Sequence, residues 1–174
     1  MALDPAKGYR ALRAGRYSEP GREYFVTFCT GKRRHGLTND ALGQERIRHW
    51  TEAQDDAVWA VRCATLMPDH VHLFVSLGQK LALGQAIARI KALSAAKLRD
   101  HELRWQPGYF EHHVRPEEKR LPYFLYTYLN PYRAKLITPE CAWPWFVCGD
   151  DDREWFLPFL NQGLPEPAWL ADLP

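Results

Sequence analysis

Two histidines, His70 and His72, flank a single valine, Val71. If the run HVHLFVSL (70–77) is a strand, alternate residues share a face. Both imidazoles then project from one side and Val71 from the other. Two neutral imidazoles a few ångströms apart suit one divalent metal and are poorly suited to being protonated together. The pair equally fits a polar strand face, and the motif alone does not choose. Asp69 precedes it and can act as an outer hydrogen-bond acceptor, a ligand or a turn residue.

A second constellation follows at Tyr126 and Asn130. Residues four apart lie one above the other on a helix. Asn130 can offer a carboxamide oxygen to a metal held by the histidines, with Tyr126 beside it. A tyrosine hydroxyl is a weak nucleophile at its ordinary pKa of about 10 and needs nearby positive charge. A metal would polarise a scissile phosphate and stabilise a leaving 3′ oxygen, giving a 5′-phosphotyrosine. Packing is the competing role, because Tyr123, Tyr126, Tyr128 and Tyr132 crowd one segment and helical aromatics usually fill cores. Tyr128 is the rival nucleophile. It lies about 200° round the helix from Tyr126, so one straight helix cannot aim both at one metal.

These residues need a scaffold. The 174 residues are 46% hydrophobic, enough for one domain with a sizeable core. No apolar run is long enough to span a bilayer. The N-terminus lacks the apolar stretch of a secretory signal, so a cytoplasmic location is expected. Cys29, Cys63, Cys141 and Cys148 include no CxxC pair, which argues against a zinc ribbon or redox dithiol. Net charge is only +2, but Lys7, Arg10, Arg13, Arg16, Arg22, Lys32, Arg33 and Arg34 concentrate near the start, among Tyr9, Tyr17 and Tyr24. Such a segment can follow a phosphate backbone, or be merely a solvated arm.

EYFVTFCT (23–30), VWAVRCATLM (58–67) and HVHLFVSL (70–77) read as strands. Pro68-Asp69 forms the turn of a hairpin. Residues 39–54 read as a helix capped by Asn39 or Asp40. Residues 81–103 read as a second helix with Leu83, Ile87, Ile90, Leu93 and Leu98 on its apolar face. WQPGYFEHHV (105–114) supplies a fourth strand, and 116–136 a helix interrupted at Pro122 and Pro131. Pro131 should end that helix or start another. The β-α-β-β-α-β order predicts an α+β ferredoxin-like plait: a four-stranded antiparallel sheet with helices on one face. A helix carrying the tyrosine follows, then an irregular Trp- and Pro-rich tail. The expected divisions are a basic arm at 1–22, a catalytic domain at 23–136 and an extension at 137–174 packing on the core.

The strings GREYFVTFCTGKRRHGL (21–37), LMPDHVHLFV (66–75), WQPGYFEHHVR (105–115), YTYLNPYRAKL (126–136) and AWPW (142–145) appear in order. Together they resemble the REP-associated tyrosine transposases, relatives of the single-tyrosine HUH transposases of small insertion sequences. The resemblance implies that the HUH pair falls on His70 and His72, with Val71 between. It implies Tyr126 as nucleophile and Asn130 as the residue completing the metal site. Magnesium or manganese is the implied cofactor, with no need for ATP. The implied substrate is single-stranded DNA beside a short imperfect hairpin. Arg33, Arg34, Arg89, Lys91, Lys97, Arg115 and Arg133 are candidates for phosphate contacts, and Trp105, Tyr109 or Phe110 for base stacking. A non-cleaving hairpin- or repeat-binding regulatory protein is the alternative, and an unrelated metal-dependent hydrolase is a third. The sequence leaves monomer and homodimer equally open.

Overall fold

The computed structural model describes residues 18–171. Lys7, Arg10, Arg13 and Arg16 of the expected arm, with Tyr9 and Tyr17, lie outside the described residues. The strands are β1 (Glu23–Cys29), β2 (Trp59–Leu66), β3 (His70–Leu77), β4 (Phe110–Val114) and β5 (Phe146–Cys148). The principal helices are α1 (Asp40–Asp55), α2 (Leu83–Asp100) and α3 (Leu121–Arg133). Shorter helices follow at α4 (Asp150–Phe156) and α5 (Pro167–Ala171).

The sheet order is β4-β1-β3-β2-β5, with every neighbour antiparallel. The first four positions are the expected plait. β2 and β3 form the expected hairpin, closed by the Met67 N–H donating to the His70 carbonyl at 2.8 Å. The tail corrects the expectation of an irregular coat and a four-stranded sheet, because β5 adds a fifth strand on β2. An unpaired strand edge presents a row of backbone donors and acceptors, and three tail residues satisfy it. Gly149 ends that strand where no side chain fits: a Cβ there would lie 2.0 Å from the Val61 carbonyl oxygen.

Strand alternation divides the interior into two layers. Tyr24, Val26 and Phe28 of β1 and Val71, Leu73 and Val75 of β3 pack under α1 and α2. Phe25 and Phe74 face the opposite way, toward α3 and the tail. With both faces covered, β3 is almost wholly buried and reads as a near-continuous apolar run. Each such large side chain contributes roughly 1.5–3 kcal/mol on burial. His70 and His72, in step with Phe74, therefore lie on the α3 side.

Two helix readings are corrected. Leu93 is 48% exposed, and Ser94 holds the buried position in its place. Its hydroxyl donates to the Ile90 carbonyl and accepts from the Trp105 indole N–H at 2.8 Å, so burying it leaves no orphaned polar group. Pro131 neither ends α3 nor starts a new helix, which runs through it to Arg133. It lies in the last turn, where few hydrogen bonds remain to lose. Pro122 sits in the first turn, as its missing N–H allows. No helix among the described residues is long and apolar enough to cross a membrane.

Candidate active site

The hairpin turn delivers His70 and His72 at the start of β3, both nearly buried. Their Nε2 atoms lie 3.0 Å apart. Each ring is held from behind. The Asp69 carboxylate lies 2.6 Å from His70 Nδ1, and the Thr27 hydroxyl lies 2.7 Å from His72 Nδ1. Thr27 is there because β1 pairs with β3 in a register that sets it opposite His72. Asp69 accepts from the His70 Nδ1–H, and Thr27 can accept from His72 in the same way. Both Nε2 atoms then carry lone pairs.

Burial lowers the pKa of both rings. Desolvation is the largest cause at His70, opposed by Asp69. At His72 desolvation acts with the neighbouring His70 and Arg33, pushing it down to about 3. Both imidazoles are neutral at pH 7. Facing lone pairs at 3.0 Å repel unless a proton or cation lies between them. The donor set thus fits a divalent metal.

A third polar side chain reaches the histidines from α3. The Asn130 carboxamide nitrogen lies 3.2 Å from His72 Nε2. A half-turn about its terminal bond presents the oxygen instead. One helical turn earlier, the Tyr126 ring meets His72 edge to face at 5.1 Å between centroids. Phe25 supports it from the sheet, and the Arg133 guanidinium lies 5.5 Å from its ring centre.

The four tyrosines of α3 differ in what their hydroxyls do. Tyr123 donates to Glu118 at 2.6 Å, and burial with that carboxylate pushes its pKa up to about 12. Tyr128 is buried in the rear layer and donates to the Gly163 carbonyl, with burial raising its pKa strongly. Tyr132 donates to the Cys141 carbonyl. Tyr126 is 40% exposed and lines an open cavity of about 1020 Å³ with His70, His72 and Asn130. A bound nucleotide fits a space of that size.

Arg33 and Arg133 join this site. Arg33 donates from Nε to Asp69 at 2.7 Å, so Asp69 bridges it to His70. Arg34, Lys91 and Trp105 line a second cleft of about 740 Å³. Lys91 reaches the Gln106 and Gly108 carbonyls there. Arg89 pairs with Asp56, and Lys97 with Glu45. Those two and Arg115 line neither cleft. Thr27 and the Arg33 contact to Asp69 escaped sequence reasoning, whereas Asp69 as an outer acceptor was among its readings. Thr27 carries no motif, and only the β1–β3 register places it at His72.

The model of the IS200-like transposase family matches residues 21–120, spanning the histidine hairpin and stopping just before α3. The structure of a REP-associated tyrosine transposase bound to a REP hairpin has a similar fold, with a TM-score of 0.63. It is 21% identical, over 75% of this chain and 79% of that one. A Deinococcus radiodurans R1 protein described as a transposase matches at TM-score 0.47 and 17% identity, over 70% and 88% of the two chains. Comparison with curated proteins gives no match. With more than half of its length matched, around the paired histidines, the chain belongs to the family of IS200-like transposases.

Proposed function

We propose that this chain is a metal-dependent single-strand DNA transesterase that cuts beside a short hairpin and forms a 5′-phosphotyrosine. The observation that carries the reading is the Tyr126 side chain. Its ring stands against His72 at the open cleft, while the other three tyrosine hydroxyls of α3 are bonded to protein acceptors. His70, His72 and the Asn130 carboxamide oxygen would hold magnesium or manganese. When bound there, such a cation supplies Lewis-acid charge to a phosphoryl oxygen.

The chain's own residues do the rest. Asp69 fixes the His70 tautomer, Thr27 holds the His72 ring by its Nδ1, and Phe25 packs on both the His72 and Tyr126 rings. The Tyr126 oxygen attacks the scissile phosphorus and releases its proton to the open cleft. The Tyr126 O–P bond forms as the P–O3′ bond breaks, and the departing oxygen takes a proton to become a 3′-hydroxyl. Arg133 places positive charge beside the attacking group, where negative charge develops. The phosphotyrosine keeps the bond energy, so a second 3′-hydroxyl can attack it and restore Tyr126. The hairpin substrate is proposed from the structural relative, which is bound to a REP hairpin.

The test is incubation of the full chain with labelled hairpin-bearing single-stranded DNA and magnesium or manganese, resolved on denaturing gels. A covalent protein–DNA adduct should form, disappear in Tyr126→Phe and persist in Tyr128→Phe. Binding without an adduct in the parent protein would instead support a non-cleaving repeat-binding role. Cutting that survives in Tyr126→Phe would point to metal-activated water.

A further inference from the structure

The second cleft lies on the α2 side of the loop at residues 30–36, away from the histidines. Its floor is apolar, formed by Ala92, Ala95, Leu103 and the Trp105 ring. Its rim carries Lys32, Arg34, Arg99 and Arg104. Arg34 is engaged by Glu102. Lys32, Arg99 and Arg104 are exposed and have no ion pair among the described residues.

The loop belongs to both clefts. Arg33 and His35 line the histidine cleft, whereas Lys32 and Arg34 line the second. This alternation is built into a constrained backbone. Lys32 and Arg33 both adopt left-handed φ values, 57° and 55°, which cost non-glycine residues energy and persist only where the surroundings impose them. Here the Thr30 N–H donates to the Asp69 carbonyl, and the Gly31 N–H to the Arg104 carbonyl. The start of the loop is thus tied both to the histidine hairpin and to the second cleft, and its far end returns to the hairpin, where the Gly36 and Leu37 N–H groups donate to the Pro68 carbonyl.

We propose that this cleft is a second, non-catalytic binding site for single-stranded DNA. It holds unpaired nucleotides beside those being cut. An apolar, Trp-containing floor with cations on the rim suits bases turned inward and phosphates outward. A duplex keeps its bases stacked inside and cannot use such a floor. The strand then crosses the loop, passing from Lys32 to Arg33 as it enters the histidine cleft. The inference rests on the DNA-processing role proposed above.

The probe is fluorescent oligothymidylate, with binding to the full chain followed by anisotropy across a salt series. Each neutralised phosphate contact on a single strand contributes about 0.7 to the slope of log affinity against log salt. Lys32→Gln/Arg99→Gln/Arg104→Gln should therefore flatten the slope by about 2, cutting the affinity lost between roughly 50 and 200 mM salt by about 15-fold. Arg48→Gln/Lys80→Gln/Lys119→Gln, which removes the same charge outside both clefts, should leave it unchanged. Ala92→Trp fills the floor without altering charge and should weaken binding at every salt concentration. Equal slopes for the two triple variants, or full affinity in Ala92→Trp, would overturn the second site. If the parent still forms the Tyr126 adduct in that case, the proposed function stands alone. A parent that neither binds oligothymidylate nor forms an adduct with hairpin DNA would remove both.

Discussion

Asp69→Asn probes how the protein prepares His70. The carboxylate accepts twice, from His70 Nδ1 at 2.6 Å and from Arg33 Nε at 2.7 Å. A carboxamide has one accepting oxygen and one donating nitrogen. If its nitrogen faces His70, Nδ1 must become the acceptor and the ring proton moves to Nε2. That proton then points into the 3.0 Å gap to His72 Nε2, where a metal would sit. If its oxygen faces His70, the nitrogen meets a guanidinium, and donor opposes donor. Arg33 has a 52% exposed side chain and can turn out to water, so this second arrangement is the cheaper one. Removing an outer partner of a metal-binding histidine costs 10- to 100-fold in affinity, about 1.4–2.8 kcal/mol. Asp69→Asn should fall near the tenfold end. Asp69→Ala, which offers His70 nothing, should fall near the hundredfold end. Manganese binding measured by the paramagnetic resonance of the free ion at neutral pH gives the affinity directly. Circular dichroism checks that each variant is folded. Folded Asp69→Asn and Asp69→Ala proteins that bind manganese within twofold of the parent would refute the reasoning.

Three further outcomes are expected. Tyr128→Phe loses the bond to the Gly163 carbonyl inside a buried layer, and urea denaturation should show a loss of about 0.5–1.5 kcal/mol; Tyr126→Phe should lie within about 0.5 kcal/mol of the parent. Gly43→Ala places a Cβ 2.5 Å from the Trp145 ring, so overpacking of about 1–3 kcal/mol should outweigh the roughly 1 kcal/mol gained in helix propensity, and Trp145→Leu should relieve it in the double variant. Burial, helped by the nearby Arg46, holds His49 below its ordinary 6.5; the unfolded chain binds the proton first as pH falls, so stability declines from about pH 6.5 down toward the folded pKa, and His49→Gln should make that acid-side decline shallower in denaturant titrations.

The scaffold was legible wherever a local pattern and the tertiary structure agreed. EYFVTFC alternates between two buried layers, and Pro68-Asp69 can only turn, so β1 and the histidine hairpin fall where the residues indicate. The four-residue spacing of Tyr126 and Asn130 survived because Pro131 lies too late in α3 to break it. β5 was illegible, since three residues carry no periodicity and β2 alone recruits them. A bulge between Val61 and Cys63 is equally silent in sequence. Lys91 looks like a surface cation until the fold brings the Gln106 and Gly108 carbonyls within its reach. Arg46 shows the reverse. It sits among charged residues of α1 yet is 1% exposed beside Glu45, and no helical pattern announces a buried guanidinium.

The rear of α3 is clasped by the end of the chain. The Gly163 carbonyl holds Tyr128, the Cys141 carbonyl holds Tyr132, and Trp155 and Phe156 pack on Phe124. A slip of one residue in that grip would move Tyr126 by about 1.5 Å along the helix axis and turn it by about 100°. Residues 141–163 thus act as a jig for the front of the helix, although the side chains that do the clasping face away from the cleft. Any shortened or fused version of this protein has to carry that segment intact, since trimming it would loosen the tyrosine and also remove the bonds that Trp143 and Trp145 make to Leu66 of the histidine hairpin.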